Sequence, residues 1–389
     1  MTPDRQDELR KTYRDGLLLD TLPFWLKNGV DREHGGFLIC QDRDGTVIDT
    51  DKGLWQQCRF TWLLATLFDT VERRPEWLEL ARHGLDFVRR HGFDHDGRMF
   101  FVVTREGRPL RKRRYLFTEC FAVAALAAYA KAAGDEEAAD QARELFRLVL
   151  RHVDTPGLLP PKTETATRPT KSLAVPMIGI VTAQILRRAT GDPICDQRID
   201  RWVGEIERDF VKPELEAVLE VVGQGGELLD HFDGRTLNPG HALEAAWFLM
   251  EESRHRGGDR RLLKLGTTIV DWMWKRGWDP EHGGILYFTD VKGLPVQEYW
   301  HDMKFWWPQT EAILATLMAY RLTGEPRYAE WHRQVHDWAH RHFPDPEHGE
   351  WFGYLHRDGR ISSTLKGNLW KGPFHLPRMQ LRAWRLLEE

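Results

Sequence analysis

The chain has 389 residues, 41% hydrophobic and 29% charged, with a net charge of −4. That balance describes a globular protein and excludes a disordered or fibrous one. The charges are interspersed, so nothing forms a nucleic-acid footprint, and the one dense basic run, Arg111-Lys-Arg-Arg114, reads as a solvated loop. No apolar run reaches the roughly 18 residues of a membrane span, and the first residues lack a secretory-signal pattern, so a cytoplasmic protein is expected. Cys40, Cys58, Cys120 and Cys195 lie far apart with no Cys-x-x-Cys pair, which points to reduced, buried thiols and to no metal site. The outlier is tryptophan, 17 residues beside 19 Phe and 8 Tyr. Such rings stack on sugar C–H faces or fill gaps between helices, and composition does not choose.

Along the chain, the first marker is Asp31-Arg-Glu-His-Gly-Gly-Phe-Leu, followed by the polar turn Arg43-Asp-Gly45. A mostly apolar helix is predicted over Leu54–Val71 and an amphipathic one over Trp77–Val88. A looser marker, Phe93-Asp-His-Asp-Gly-Arg-Met-Phe-Phe with Arg105-Glu-Gly107, precedes helices over Glu119–Ala132 and Ala138–Val153. Loops near Asp154-Thr-Pro-Gly157 and Asp230-His-Phe-Asp233 stand where further markers are due, ahead of apolar helices over Val175–Leu186 and Ala242–Met250. After the amphipathic segment Leu262–Trp274 comes Asp279-Pro-Glu-His-Gly-Gly-Ile-Leu with Val291-Lys-Gly293, then helices over Glu311–Leu322 and Tyr328–Trp338. The last marker is Asp345-Pro-Glu-His-Gly-Glu-Trp-Phe with Arg357-Asp-Gly359.

The clear markers recur at a spacing of about 64 residues, and a fixed period of that kind signals stacked units. Each unit is a helical hairpin of one apolar and one amphipathic helix, with a short β-hairpin in the connection. Six inner and six outer helices close into an all-α (α/α)6 barrel, which leaves no uncapped end. No Gly-, Ser- or Pro-rich linker divides residues 1–389, so one domain is expected. The histidines of the Glu-His-Gly copies read as turn residues rather than metal ligands.

Four stretches carry chemistry. Asn238-Pro239 is an N-cap followed by proline at the first helical position. That puts His241 in the first turn, with Glu244 three residues on along the same face. Backbone N–H groups at a helix start disfavour an imidazolium, so His241 is expected to be neutral. Trp307-Pro308 opens another helix with Glu311 in its first turn. His375 sits between Pro373 and Pro377, and Arg378 starts the last inner helix. Arg59 lies in Trp55-Gln-Gln-Cys-Arg59, inside an apolar inner helix. Such a cation requires either a buried ion pair or a substrate oxyanion, and the sequence leaves both open.

These stretches resemble the N-acylglucosamine 2-epimerase family. The resemblance is densest over Asn238–Leu249, Met303–Pro308, Asp345–Leu355 and Lys371–Arg378, with weaker echoes at Trp55–Arg59, Phe117–Phe121 and Ala174–Met177. It implies the helical barrel, His241 and His375 as the acid/base pair, and Arg59 and Glu311 as catalytic partners. It further implies a substrate-binding role for Glu244, Trp307 and Arg378, and for Lys162 after Pro160-Pro161. It implies interconversion of N-acetyl-D-glucosamine and N-acetyl-D-mannosamine, no metal or other required cofactor, ATP only as a non-consumed activator, and a homodimer. By the same resemblance, several members acting on cellobiose, mannose or aldose–ketose pairs carry an extra histidine near position 177, where this chain reads Val175-Pro-Met177. The expected chemistry is proton removal at C2 by one histidine and return by the other through an enediolate, with Arg59 on the C1 oxygen. The alternatives are a mannose 2-epimerase or aldose–ketose isomerase, then a glycoside hydrolase, for which two facing carboxylates are needed, and a non-catalytic binding protein.

Overall fold

The computed structural model describes the whole chain, Met1–Glu389. The predicted hairpins are present. Helix α1 (Pro3–Asp15) runs through a π-helical stretch, Gly16–Thr21, into α2 (Leu22–Asn28), and together they form an outer element. Inner α3 (Leu54–Thr70) is followed by outer α4 (Pro75–His91), inner α5 (Phe117–Ala133) by outer α6 (Glu136–Asp154), and inner α7 (Ala174–Thr190) by outer α8 (Ile194–Glu205). After the single turn α9 (Phe232–Arg235) come inner α10 (Pro239–His255), outer α11 (Arg260–Gly277), inner α12 (Trp306–Thr323), outer α13 (Pro326–His342) and inner α14 (His375–Glu388). The inner helices are buried on nearly every face, as their lack of polar faces requires, whereas α4, α6, α11 and α13 bury one stripe. Neighbouring inner helices pack in order from α3 to α14, and α1 covers α14. Phe374, just before α14, packs on Trp62 of α3 and so closes the inner ring. The fold is an (α/α)6 barrel with small antiparallel ribbons in its loops.

The markers explain how the inner helices are placed. In each complete copy the Asp side chain accepts backbone N–H groups of its own turn: Glu33 and His34 for Asp31, Glu281 and His282 for Asp279. The two glycines that follow have positive φ, 82° and 68° at Gly35 and Gly36, a region side chains disfavour. The Asp then receives a buried lysine from just before the next inner helix. The pairs are Lys52–Asp31 ahead of α3 at 2.8 Å, Lys304–Asp279 ahead of α12 at 2.8 Å, and Lys366–Asp345 ahead of α14 at 3.0 Å. Inside the helices, Gln57, Glu119 and Gln309 bond the backbone of the marker strands at Phe37, Met99 and Ile285. The marker histidines are turn residues, as expected, and His34, His282 and His348 each lie only beside their own neighbouring glutamate.

Two expectations need correction. The loops at Asp154 and Asp230 do not repeat the marker: Asp154 ends α6 and pairs with Arg198 and Arg201. The cations ahead of α7 and α10 find carboxylates further along the chain, Lys171 on Asp209 and Arg235 on Asp290. The basic run is not a free loop either. Lys112 binds Asp94 and Asp96, Arg113 lies 4.5 Å over the Phe101 ring, and Arg114 donates to the Pro161 carbonyl. The four cysteines are unpaired, and burial raises their pKa values. No helix is long and apolar enough to cross a membrane.

The third marker breaks its pattern with Glu350 in place of the second glycine, at φ 58°. The strain has a return: the buried Glu350 carboxylate accepts from Trp25 Nε1 at 2.7 Å and from Lys371 Nζ at 2.8 Å. This fixes the loop that leads into α14.

Removing one partner of a fully buried pair leaves an uncompensated charge. Asp279→Ala, which strands Lys304, is therefore expected to lower unfolding stability by about 3 kcal/mol in urea denaturation. The Asp279 carboxyl is held well below its usual pKa by Arg357 and Lys304, against burial. Its contribution is thus complete above the ordinary carboxyl pKa and lost as the pH falls, so the gap between variant and wild type should narrow in acid.

Candidate active site

Every inner helix sends residues from its first two turns into one cavity of about 690 Å³: Trp55 and Arg59, Phe117 and Phe121, Ala174 and Met177, His241 and Glu244, Trp306 and Trp307, His375 and Arg378. Five tryptophans line it, including Trp300 and Trp370 from loops, while others such as Trp77 and Trp202 fill helix contacts. Both uses of tryptophan are therefore present.

His241 is held as its local sequence predicts. Asn238 caps α10, its Oδ1 accepting from His241 N–H at 3.1 Å, and Pro239 opens the helix. The ring Nδ1 lies 3.0 Å from Glu220 Oε2. On the opposite arc, His375 opens α14 with Nδ1 2.8 Å from Glu311 Oε1. The Trp307 ring stands between the two imidazoles, 5.0 Å from one and 5.7 Å from the other, centre to centre. A carboxylate only accepts, so both contacts call for Nδ1–H and leave Nε2 for the cavity, while Arg378 Nη2, 3.3 Å from His375 Nδ1, and Asn238 Nδ2, 3.1 Å from His241 Nδ1, make the opposite demand.

The two rings are tuned apart. Burial disfavours charge on both. At His241 the Glu220 carboxylate overcomes it, with Glu244 and Glu311 adding, and the pKa rises above the ordinary imidazole value. At His375 burial and then the Arg378 guanidinium drive it well below. The shift runs opposite to the one the helix start implied. The helix-start argument counted the backbone N–H groups and missed a carboxylate from another segment. Glu220, which touches His241, stood outside every motif, as did the cavity-lining Tyr115, Tyr287 and Asn368. The only signal of Glu220 was a lone carboxylate in the apolar run Ala217-Val-Leu-Glu-Val-Val222.

Arg378 Nη2 bridges Glu244 Oε1 at 2.5 Å and Glu311 Oε1 at 2.7 Å, and Trp247 Nε1 donates to the other Glu311 oxygen at 2.8 Å. Glu244, Glu311 and His375 bring ligand atoms within 4.8 Å of one another. Arg378 Nη2 already lies between the two carboxylates and bonds both. Helix α12 begins at Trp306, which places Glu311 in its second turn, and α14 begins at His375, with Arg378 one turn in. Both starts fall earlier than the prolines implied.

Arg59 resolves the alternative that the sequence left open. It is 6% exposed and makes no ion pair, its Nε lacks any partner, and its guanidinium lies 4.1–4.5 Å from the centres of the Phe121, Trp55 and Phe374 rings. Burial, then Arg378, pulls its pKa down to about 9. The buried ion-pair reading is thereby excluded, and the ring faces hold the cation without occupying its N–H groups. Lys162 does not join the group. It lies over Tyr115 at 4.5 Å, outside the cavity lining.

A family model for N-acylglucosamine 2-epimerase (GlcNAc 2-epimerase) matches residues 35–375. The chain belongs to the N-acylglucosamine 2-epimerase family. It is 37% identical to N-acylglucosamine 2-epimerase of Bos taurus, over 96% of this chain and 91% of that protein. The Homo sapiens N-acylglucosamine 2-epimerase is 36% identical, over 97% and 91%. The cellobiose 2-epimerase structure from Bacillus thermoamylovorans superposes with a TM-score of 0.86 at 22% identity, covering 97% of this chain and 99% of that one, which shows the shared barrel.

For this family member, Arg59→Met removes a buried charge that Glu244 and Glu311 favour only from a distance and that no carboxylate pairs. Thermal stability is expected to hold or rise. Turnover is expected to fall by roughly 10²–10³, the usual cost of one oxyanion donor. Melting curves and kcat on the same preparation check both.

Proposed function

We propose that this sugar 2-epimerase interconverts N-acetyl-D-glucosamine and N-acetyl-D-mannosamine by proton transfer at C2. The observation that carries the reading is the pair of oppositely tuned histidines on either side of Trp307, beside an unpaired buried arginine. In one direction, neutral His375 takes the C2 proton on Nε2 from the ring-opened sugar. The C–H electrons form the C1–C2 double bond, and the carbonyl pair moves onto O1, where Arg59 meets the charge. His241, protonated on Nε2, then delivers its proton to the other face of C2 as the C1 carbonyl re-forms. In the reverse direction the roles exchange. Glu311 holds the His375 tautomer, Arg378 bridges Glu311 and Glu244, and Glu244 and Trp307 are left to contact the sugar. One proton leaves C2 and a different one is returned to it, the two imidazoles recover their starting protonation by exchange with solvent, and the substrate is neither oxidised nor reduced, so these residues can carry the transfer themselves.

Two features favour the N-acyl substrate. Helix α7 offers Ala174, Met177, Ile178 and Val181 to the cavity. That wall suits an acyl methyl group better than a hydroxyl, which would be left unpaired there. Met177 also stands near the position where several members of the other substrate classes are expected to carry a further histidine. Hydrolysis fits poorly, because Arg378 ties Glu244 and Glu311 together as one ion cluster instead of leaving two opposed carboxyl groups.

The test is proton NMR of each N-acetyl sugar with enzyme in D2O. Deuterium should enter C2 as the other epimer appears, and His241→Asn or His375→Asn should reduce epimerisation by roughly 10²–10⁴. Exchange with mannose alone would overturn the amino-sugar assignment. The pH profile of kcat/KM should be a bell. Its acid limb marks protonation of His375, whose pKa is lowered, and its alkaline limb marks loss of the proton from His241, whose pKa is raised.

A further inference from the structure

Glu220 lies between the strands Ala217–Val218 and Val221–Gly223, outside every motif of the site. Its backbone is tied at both ends. The Leu173 N–H donates to its carbonyl at 3.0 Å, and its own N–H donates to the Thr236 carbonyl at 3.5 Å. It therefore spans the entries to α7 and α10. Its side chain is 15% exposed, with Oε1 accepting from Ser172 Oγ at 3.5 Å and Oε2 turned to His241.

His241 Nδ1 has two partners with opposite demands. Glu220 Oε2, at 3.0 Å, can only accept and requires Nδ1–H. Asn238 Nδ2, at 3.1 Å, can only donate and requires a bare Nδ1. The amide cannot turn over, because its oxygen is committed to the His241 N–H. Whichever partner prevails decides what Nε2 presents to the sugar. A hydrogen bond to a charged group is roughly twice as strong as a neutral one, so the carboxylate prevails.

We propose that Glu220 is a positioning residue that selects the Nδ1–H tautomer of His241. Nε2 can then both give a proton to C2 and take one from it. The proposal rests on the two-histidine reading above. Without the carboxylate, Asn238 claims Nδ1 and the neutral ring keeps its proton on Nε2, where it is too weak an acid to give and has no lone pair to take. The other charged groups facing His241 are Glu244 on its own helix, Glu311 from α12 and His375 from α14, and Lys162 faces Glu220. Of the carboxylates, only Glu220 touches Nδ1.

Two substitutions separate tautomer from charge. Glu220→Leu removes the acceptor. In D2O, epimerisation should fall by roughly 10², while the epimer whose C2 hydrogen faces His375 continues to exchange. The ratio of exchange to epimerisation for that sugar should therefore rise by a similar factor. Glu220→Gln keeps an acceptor oxygen and loses the charge. Its exchange ratio should stay near that of wild type, and the alkaline limb of its kcat/KM profile should move to lower pH. An unchanged ratio in Glu220→Leu, or equal loss of both rates in a variant with a native melting curve, would overturn the proposal. A Glu220→Gln profile superposable on wild type would do the same. Failure of wild type to exchange or epimerise either sugar would instead overturn the two-histidine reading.

Discussion

The structure depends on a buried lysine meeting a buried aspartate just before an inner helix begins. Such a pair loses its hydration on both sides and holds only with near-ideal geometry and further hydrogen bonds. The markers supply both. Each Asp closes its own turn, takes the lysine of its own unit and also takes an arginine from the next hairpin around the rim. Arg105 reaches Asp31, Arg357 reaches Asp279, and Arg43, from the first hairpin, reaches Asp345 in the last. The rim is thereby bound into a belt that crosses the meeting of chain beginning and chain end, and the belt fixes where α3, α12 and α14 start. Arg59, Glu311 and His375 are all within two turns of those starts.

Helix direction adds the second constraint. All six inner helices present their first turns to the cavity, so the positive ends of their dipoles converge there. Carboxylates gather at that end without a full set of cationic partners, and the enediolate proposed for the reaction would meet a favourable field there. The opposite, negative ends carry Lys131, Arg188, Arg254, Arg321 and Arg385 near the last turns. Against this background Arg59 can remain unpaired. Its charge is disfavoured by burial but shared over three ring faces, which offer attraction without occupying its N–H groups.

Local patterns made the barrel legible. Apolar and amphipathic helices alternate, the markers recur, and Asn238-Pro239 states a helix start outright. The site was legible wherever its residues sit on those helices. Three things escaped because they are relations between distant segments. Glu220 approaches His241 through the loop pairing of Val221–Gly223 with Thr170–Ser172, and no spacing in the sequence encodes that approach. The direction of the His241 pKa shift followed that omission. The earlier starts of α12 and α14 depend on Phe305 and Phe374 packing and were hidden by prolines that looked like first-turn residues. Glu350 shows the converse: a departure from a repeat, visible in the sequence, whose reason appears only with Trp25 and Lys371 around it.

The seam between first and last units has a bearing on how the protein comes to be active. Tyr13 of α1 bonds His332 and His336 of α13, Trp25 bonds Glu350, and Arg43 bonds Asp345, all across more than 300 residues of chain. Contacts of such separation form late, after the entropy of a very long loop has been spent. A growing polypeptide can stack its early hairpins as they emerge, yet Glu244 and Glu311 would face each other bare until the helix bearing Arg378 arrives between them. The catalytic centre is thus the final piece of the barrel to be assembled. Partly made chains should be structured along one arc and chemically inert, and commitment to activity coincides with closure of the ring.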